Sequence, residues 1–388
     1  MPRTSPDVTE AQPVQPAAAS VVHTFGVEEE FFLVHPDGAV ADVAPQLLRT
    51  LAGDPHVQAE WMRYQVESAS AVCVGLPELA AGLEGERSAL AAAARLHGAH
   101  LVAAGTPPLP VPGAASVSDG VRYRELTDFP GISGEEVACA CQVHVGIPSR
   151  DQGVAVINRI RGWLPVLLAL TGNSPFWAGR DTGWHSYRYV VATAWPTAIV
   201  PPVCRDAADY DDRMARHLAD GEALDVAGVY WFARLSARYP TVEIRVADTC
   251  LAVDDAVLLA GLCRALVATA LADEAAGRPC APLADELLSA SVAAAARSGL
   301  GAVVIDPRTG RQASARALAA RLVADVAPAL EAAGDGSSVR ALLDRRLRRG
   351  SGAATQRELR QSRGMEAFVA AMETATVAPS SVPRAAVS

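Results

Sequence analysis

The 388-residue chain is half hydrophobic and one-fifth charged, with a formal net charge of −9, the composition of a folded soluble protein of one large domain or two. All 34 basic residues are arginine and none is lysine, which excludes chemistry that needs a lysine amine: a P-loop nucleotidase, a protein kinase with its strand lysine, or a pyridoxal phosphate Schiff base. The acidic balance excludes a general nucleic-acid binder, whose surface is net basic.

Residues 1–20 hold Pro2, Pro6, Pro13 and Pro16 among Ala, Ser, Thr and Gln, with no apolar core behind a basic start. This is read as a disordered leader rather than a signal peptide. A strand-like run follows at His23–Val34 and another at Gln65–Val74, then a helix at Pro77–Leu96. Thr106–Gly120, with Pro107, Pro108, Pro110 and Pro112, reads as a long loop suited to an active-site lid. Glu136–Ile147 is the third strand-like run, Gln152–Leu170 a helix, and Thr241–Asp248 the fourth strand. From Asp254 on, apolar residues at three-to-four spacing predict helices over Asp254–Ala276, Pro282–Ser298, Ala313–Ala333, Ser338–Arg349 and Thr355–Thr374. Val377–Ser388 reads as a disordered Pro/Ser/Ala tail, leaving a single domain over residues 21–376.

Strands before helices predict an α+β fold with an antiparallel sheet. Trp163–Thr171 is short for a membrane span and Val257–Leu271 contains Arg264, so none is expected. The seven cysteines include no Cys-x-x-Cys pair; Cys139 and Cys141 are read as buried reduced thiols, which fits a cytoplasmic protein. Arg345, Arg346, Arg348 and Arg349 form either a solvated helix face or a site for an anion.

Strand alternation places Glu28 and Glu30 on one face, with Val27, Glu29 and Phe31 on the other. It sets Glu67 with Ala69, Ala71 and Cys73, Gln142 with His144, and Glu243 with Arg245. The apolar faces can pack under helices, so the polar ones line a concavity or face solvent. Taken singly, a Glu-x-Glu on a strand is an ordinary solvated face and a lone His an ordinary core residue. Here the polar groups interrupt strongly apolar segments, and several carboxylates buried together need compensating cations. Arg245 supplies one; a hard dication with oxygen ligands suits the rest, which suggests Mg2+-assisted phosphoryl chemistry without a P-loop.

The run Phe25-Gly-Val-Glu-Glu-Glu-Phe-Phe-Leu-Val34 resembles the opening strand of glutamate–cysteine ligase family 2, the YbdK-type carboxylate–amine ligases. The resemblance continues in order through Val66-Glu-Ser-Ala-Ser70, Gly105-Thr-Pro-Pro108, Arg122-Tyr123, Cys141-Gln-Val-His-Val-Gly146, Ser186-Tyr-Arg188, Thr241–Thr249, and Ala296-Arg297 ahead of Ile305-Asp-Pro307. It implies a glutamine-synthetase-like catalytic domain, a curved antiparallel sheet backed by helices, with a helical C-terminal third. It implies ATP and Mg2+ or Mn2+, small-molecule substrates, no nucleic acid or membrane partner, and a homodimer. The expected reaction joins a carboxylate, typically the γ-carboxylate of L-glutamate, to an amine such as that of L-cysteine.

By the same resemblance Glu28, Glu30, Glu67, His144 and Glu243 hold the metal ions, with Gln142 beside His144. Arg245, Arg188 and Arg297 clamp the transferring phosphoryl group or the substrate carboxylate, while Gln142, Tyr123 and Arg122 bind substrate or nucleotide. One departure is Pro107, where family members carry His in a Gly-Thr-His-Pro motif. Two further readings stand beside glutamate–cysteine ligation: the same chemistry on a different acid and amine, or a non-catalytic nucleotide-binding relative. Retention of all four carboxylates speaks against the last.

Overall fold

The computed structural model describes residues 23–280 and 282–384; the leader expected over 1–20 lies outside the described residues. Among the described residues, seven strands form one sheet. They are β1 (Phe25–Val34), β2 (Val57–Ala59), β3 (Gln65–Ala69), β4 (His100–Val102), β5 (Ala140–Gly146), β8 (Ala233–Leu235) and β9 (Thr241–Asp248). Two separate hairpins take the intervening and later numbers: β6 (Phe176–Trp177) with β7 (Arg180–Asp181), and β10 (Val303–Ile305) with β11 (Gln312–Ser314). The sheet order is β2-β3-β1-β5-β9-β8, with β4 paired to the end of β1, and every pairing is antiparallel.

The alternation in the sequence sets the two faces. Phe25, Val27, Val143, Val145, Val242, Ile244 and Val246 are buried in the main core with the helices Val253–Ala275 and Leu164–Thr171. Phe31 and Leu33 pack with Leu90, Ala91 and Ala94 of the helix Leu76–Leu96. Burying such side chains contributes about 1.5–3 kcal/mol each, so the register that turns them inward is strongly favoured. A slip of one residue would bury Glu28 and Glu30 instead. This is the helix-backed α+β architecture the sequence predicts.

Glu29 is the exception on the apolar face. It is fully buried and receives a two-pronged guanidinium from Arg87, Nη2 to Oε1 at 2.5 Å and Nε to Oε2 at 2.9 Å. The remaining Arg87 N–H groups donate to the carbonyls of Leu251, Thr376 and Cys250. This pins β1, the start of the long core helix and the end of the last helix to one point.

The helical third is more broken than the periodicity predicts. Ala313–Ala333 resolves into Ala315–Asp325 and Ala327–Ala332, because Pro328 lacks the N–H that would continue the first helix. Thr355–Thr374 divides into Gly352–Gln361 and Met365–Thr376 around Gly364. The helical runs Arg150–Thr171 and Val253–Ala275 are as long and apolar as a membrane span, at 22 and 23 residues, but they are mostly buried inside the fold. Arg264 in the second is compensated by an ion pair with Asp335 and lies 4.3 Å over the Phe25 ring.

Two expectations need correction. Residues 377–384 do not form a disordered tail: Ser380 N donates to Glu84 at 2.6 Å, Ser380 Oγ to Asp254 at 2.7 Å, and Val382 is buried in the main core. The acidic N-terminal turn of the core helix supplies acceptors that composition cannot reveal. The Pro-rich loop is not free along its whole length either. Residues 101–108 are buried, and Thr106 Oγ1 donates to the Phe176 carbonyl at 2.7 Å. Cys139 and Cys141 are fully buried, as expected, and burial raises the Cys139 thiol well above its ordinary range.

Candidate active site

The polar face of the sheet is assembled by strand register. Glu30 on β1 lies directly opposite Glu67 on β3, and Glu28 opposite Gln142 on β5. His144 on β5 is opposite Glu243 on β9, which is in turn opposite Arg234 on β8. An irregularity between Cys141 and Val143 breaks the β5–β9 register. Arg245 Nη1 donates to Gln142 Oε1 and lies 3.2 Å from Glu243 Oε2. Gln142 Nε2 donates to Glu30 Oε1 at 2.9 Å, and the Ala140 amide donates to its other oxygen at 2.8 Å. The row of polar side chains is thus connected from Glu30 to Arg234.

Two electrostatic regimes share this face. On the β8–β9 side, burial pushes Glu243 up, but Arg245, Arg234 and His144 outweigh it and hold its carboxyl down at about 2. Arg234 Nε donates to Glu243 Oε2 at 2.6 Å, and its Nη1 is fixed by the carbonyls of Ala227 and Val229. Burial likewise pushes Glu28 up, yet it ends lowered, through the neighbouring His144. His144 Nε2 lies 3.3 Å from Glu28 and 4.0 Å from Glu243, while Nδ1 contacts Thr241 Oγ1 at 3.0 Å.

On the β1–β3 side Arg122, Arg188 and Arg245 offset the burial of the carboxylates only in part. Burial first, then Glu60, pushes Glu30 up to about 7. Burial, followed by Glu60, Glu28 and Glu30, raises Glu67 well above its usual range, and burial raises Glu60 as well. Glu60 is absent from the sequence prediction. It lies in the connection between β2 and β3, where no periodicity exposes it; its Oε1 accepts from the Trp61 amide at 2.9 Å.

A cavity of about 140 Å³ opens on this face, lined by Glu30, Glu60, Arg122, Arg188 and Arg245 with an aromatic wall that includes Trp61, Trp195 and Tyr230. Trp195 packs edge-on against Trp61 at 5.9 Å and Tyr230 at 5.3 Å. Arg122 is held in place by a fork to Asp225, Nε to Oδ2 at 2.7 Å. Arg188 lies along β9, donating to the carbonyls of Val246 and Arg245 at 3.3 Å each.

Two other predicted residues fall elsewhere. Tyr123 Oη donates to the Ala59 carbonyl at 2.9 Å, beside Glu60, and does not line the cavity. Arg297 is exposed at the end of the helix Asp285–Ser298, with its guanidinium 5.8 Å over the Trp184 ring, and it too is absent from the cavity wall.

Among the described residues no three Asp, Glu, His or Cys side chains converge as a ready-made metal cage. The chemistry of the donors nevertheless fits hard dications. Glu30, Glu60 and Glu67 are carboxylates raised by burial and mutual repulsion, a strain that a dication relieves. His144 Nε2 is buried without a hydrogen-bond partner.

Comparison with known proteins places this site in context. The family model described as glutamate–cysteine ligase family 2 matches residues 24–373. A Frankia alni protein provisionally named glutamate–cysteine ligase 2-2 is 42% identical over 361 residues, covering 88% of this chain and 94% of the relative. A Saccharopolyspora erythraea protein of the same provisional name is 39% identical over 379 residues, covering 95% and 96%. The structure of a glutamate–cysteine ligase from Francisella tularensis in complex with AMP superposes with a TM-score of 0.70 at 12% identity, covering 92% of this chain and 88% of that one. A bifunctional glutathione synthetase from Pasteurella multocida gives 0.65 at 13% identity, covering 92% and 52%. These two share the fold.

Kinship and fold together define an ATP-dependent ligase that forms carbon–nitrogen bonds. The chain belongs to glutamate–cysteine ligase family 2, the ATP-dependent ligases of glutamate and cysteine.

Proposed function

We propose that the polar face of the sheet joins the γ-carboxylate of L-glutamate to the amine of L-cysteine through an acyl phosphate, releasing ADP and phosphate. The observation that carries this reading is the meeting in one cavity of Glu30 and Glu60 with Arg188 and Arg245. Such a set of opposed charges suits polyphosphate and carboxylate held side by side.

In this reading Glu30, Glu60 and Glu67 hold divalent metal on one side of the face, and Glu28, His144 and Glu243 on the other. When bound, Mg2+ or Mn2+ neutralises phosphate charge and orients the γ-phosphoryl group. Arg245 is aimed by Gln142 and Glu243, and it and Arg188 clamp the transferring phosphoryl group or the acid substrate. A planar guanidinium does this well because it donates two parallel bonds. A carboxylate oxygen of the substrate attacks the γ-phosphorus while the bond to ADP breaks. The amine nitrogen then attacks the acyl carbon, and phosphate leaves.

The aromatic wall of Trp61, Trp195 and Tyr230 keeps water from the activated acyl group. Arg122, tied to Asp225, shapes the cavity mouth. Six buried thiols outside any disulfide support a reducing compartment, the cytoplasm, as its place of work. The discriminating experiment is ADP release by Glu28→Gln and Glu243→Gln. Loss of turnover in both, with circular dichroism unchanged, is expected; wild-type turnover in either variant overturns its assignment.

A further inference from the structure

Asp248 is a fully buried carboxylate that the chemistry above does not use. It ends β9, three residues beyond Arg245, on the same side of the strand as Val242, Ile244 and Val246. Burial raises its carboxyl group, opposed by the charge of Arg188 and by three hydrogen bonds. Those bonds all come from the segment that carries Arg188. Ser186 Oγ donates to Oδ1 at 2.6 Å, Ser174 Oγ to Oδ2 at 2.6 Å, and the Asn173 amide to Oδ2 at 2.7 Å.

Each serine also accepts from the backbone around Arg188. Ser174 Oγ receives the Arg188 amide itself at 2.9 Å, and Ser186 Oγ caps the short helix Tyr187–Ala192 through the Tyr189 amide. Ser174 and Ser186 are further joined by a parallel bridge. Gly105 closes the opposite side: a Cβ there would come within 2.9 Å of the Asp248 carboxylate and 3.0 Å of Ser174 Cβ. The carboxylate is therefore enclosed, and its two oxygens dictate where the Arg188 backbone lies relative to β9.

We propose that Asp248 is a positioning residue for the ligase reaction: through Ser174 and Ser186 it fixes the Arg188 backbone so that the Arg188 and Arg245 guanidinium groups enter the cavity side by side. This rests on the reading of Arg188 as a group that acts on substrate. A buried charge that orients hydrogen-bond donors serves geometry more than net stability, and displacement of a clamp by about 1 Å costs up to about a hundredfold in rate.

The test is a double-mutant cycle on ADP release with Mg-ATP, L-glutamate and L-cysteine, using Asp248→Asn, Arg188→Gln and the pair, with thermal unfolding of each. Asp248→Asn keeps the shape and one acceptor oxygen. It is expected to lower kcat about tenfold to a hundredfold with the KM for L-cysteine nearly unchanged, and to cause no further loss when Arg188 is already Gln. Ser174→Ala, which removes one bond to Asp248 and the acceptor for the Arg188 amide, gives a smaller loss with the same coupling, and it serves if Asp248→Asn does not fold. Losses that multiply independently in the pair would overturn the role of Asp248 while leaving that of Arg188. Wild-type turnover in Arg188→Gln would remove the Arg188 reading and this proposal with it.

Discussion

Glu30 on β1 and Glu67 on β3 stand directly opposite one another, two carboxylates in neighbouring strands. Like charges in this position repel, and burial together with Glu60 raises both. A folded-state carboxyl raised above its unfolded value favours the protonated form. Stability is therefore lost as pH rises from 4.5, the ordinary value, through about 7, the value in the fold. We predict that the melting temperature of chelator-treated protein falls across this window and that Mg2+ restores it at and above neutral pH. Glu67→Gln should flatten the slope and remove the Mg2+ effect. Glu86, also pushed up to about 7 by burial and by Glu29, adds to the slope but not to its metal sensitivity. Glu243, held down at about 2, loses its contribution only as pH falls toward that value. A melting temperature unmoved by Mg2+ at every pH would contradict the metal assignment.

Arg87 is predicted to be the most costly single arginine to remove. Its loss strands Glu29 in the core without a partner and frees three carbonyl acceptors. Arg87→Met should destabilise the fold by about 3–5 kcal/mol, and Arg87→Lys should recover little, since a point charge cannot fill a fork. Denaturant midpoints measure this. A loss of under about 1 kcal/mol in Arg87→Met would show that the pair does not hold β1 in place.

Arg245→Lys should cost about a hundredfold or more in kcat with stability nearly unchanged, because the guanidinium reaches Gln142 and Glu243 together. Steady-state ADP release measures it. Retention of kcat with only a raised KM would place Arg245 in substrate binding alone.

The strand alternation made Glu28, Glu30, His144, Glu243 and Arg245 legible, because their strands, of ten, seven and eight residues, leave no doubt about parity. Glu60 and Arg234 were not legible. The first follows a three-residue strand and the second sits within one, too short for a period to appear. Asp248 and Glu29 carried a readable signal, an acid on the apolar parity of its strand, but their partners Ser174, Ser186 and Arg87 are 58 to 74 residues away in the chain. Arg297 and Tyr123 were assigned through motif resemblance alone, and their side chains are engaged with Trp184 and Ala59.

Those two placements make a paired prediction. Tyr123→Phe should lower stability by about 1 kcal/mol, the net worth of one hydrogen bond, and Arg297→Gln should leave stability within about 0.5 kcal/mol. Neither should change kcat more than about twofold, since the Tyr123 hydroxyl is engaged with the Ala59 carbonyl and the Arg297 guanidinium lies over Trp184. Isothermal titration with a non-hydrolysable ATP analogue provides a second readout. A large loss of nucleotide affinity in Tyr123→Phe would return that hydroxyl to the nucleotide site.

Ligation of L-glutamate to L-cysteine is checked by ADP release in the presence of Mg-ATP, L-glutamate and L-cysteine, with each omitted in turn and with chelator added, followed by mass analysis of the product. This ligation requires ADP release that needs both amino acids and the metal, and a product with the mass of γ-glutamylcysteine. ADP release indifferent to L-cysteine, or a product that lacks the cysteinyl mass, would contradict it.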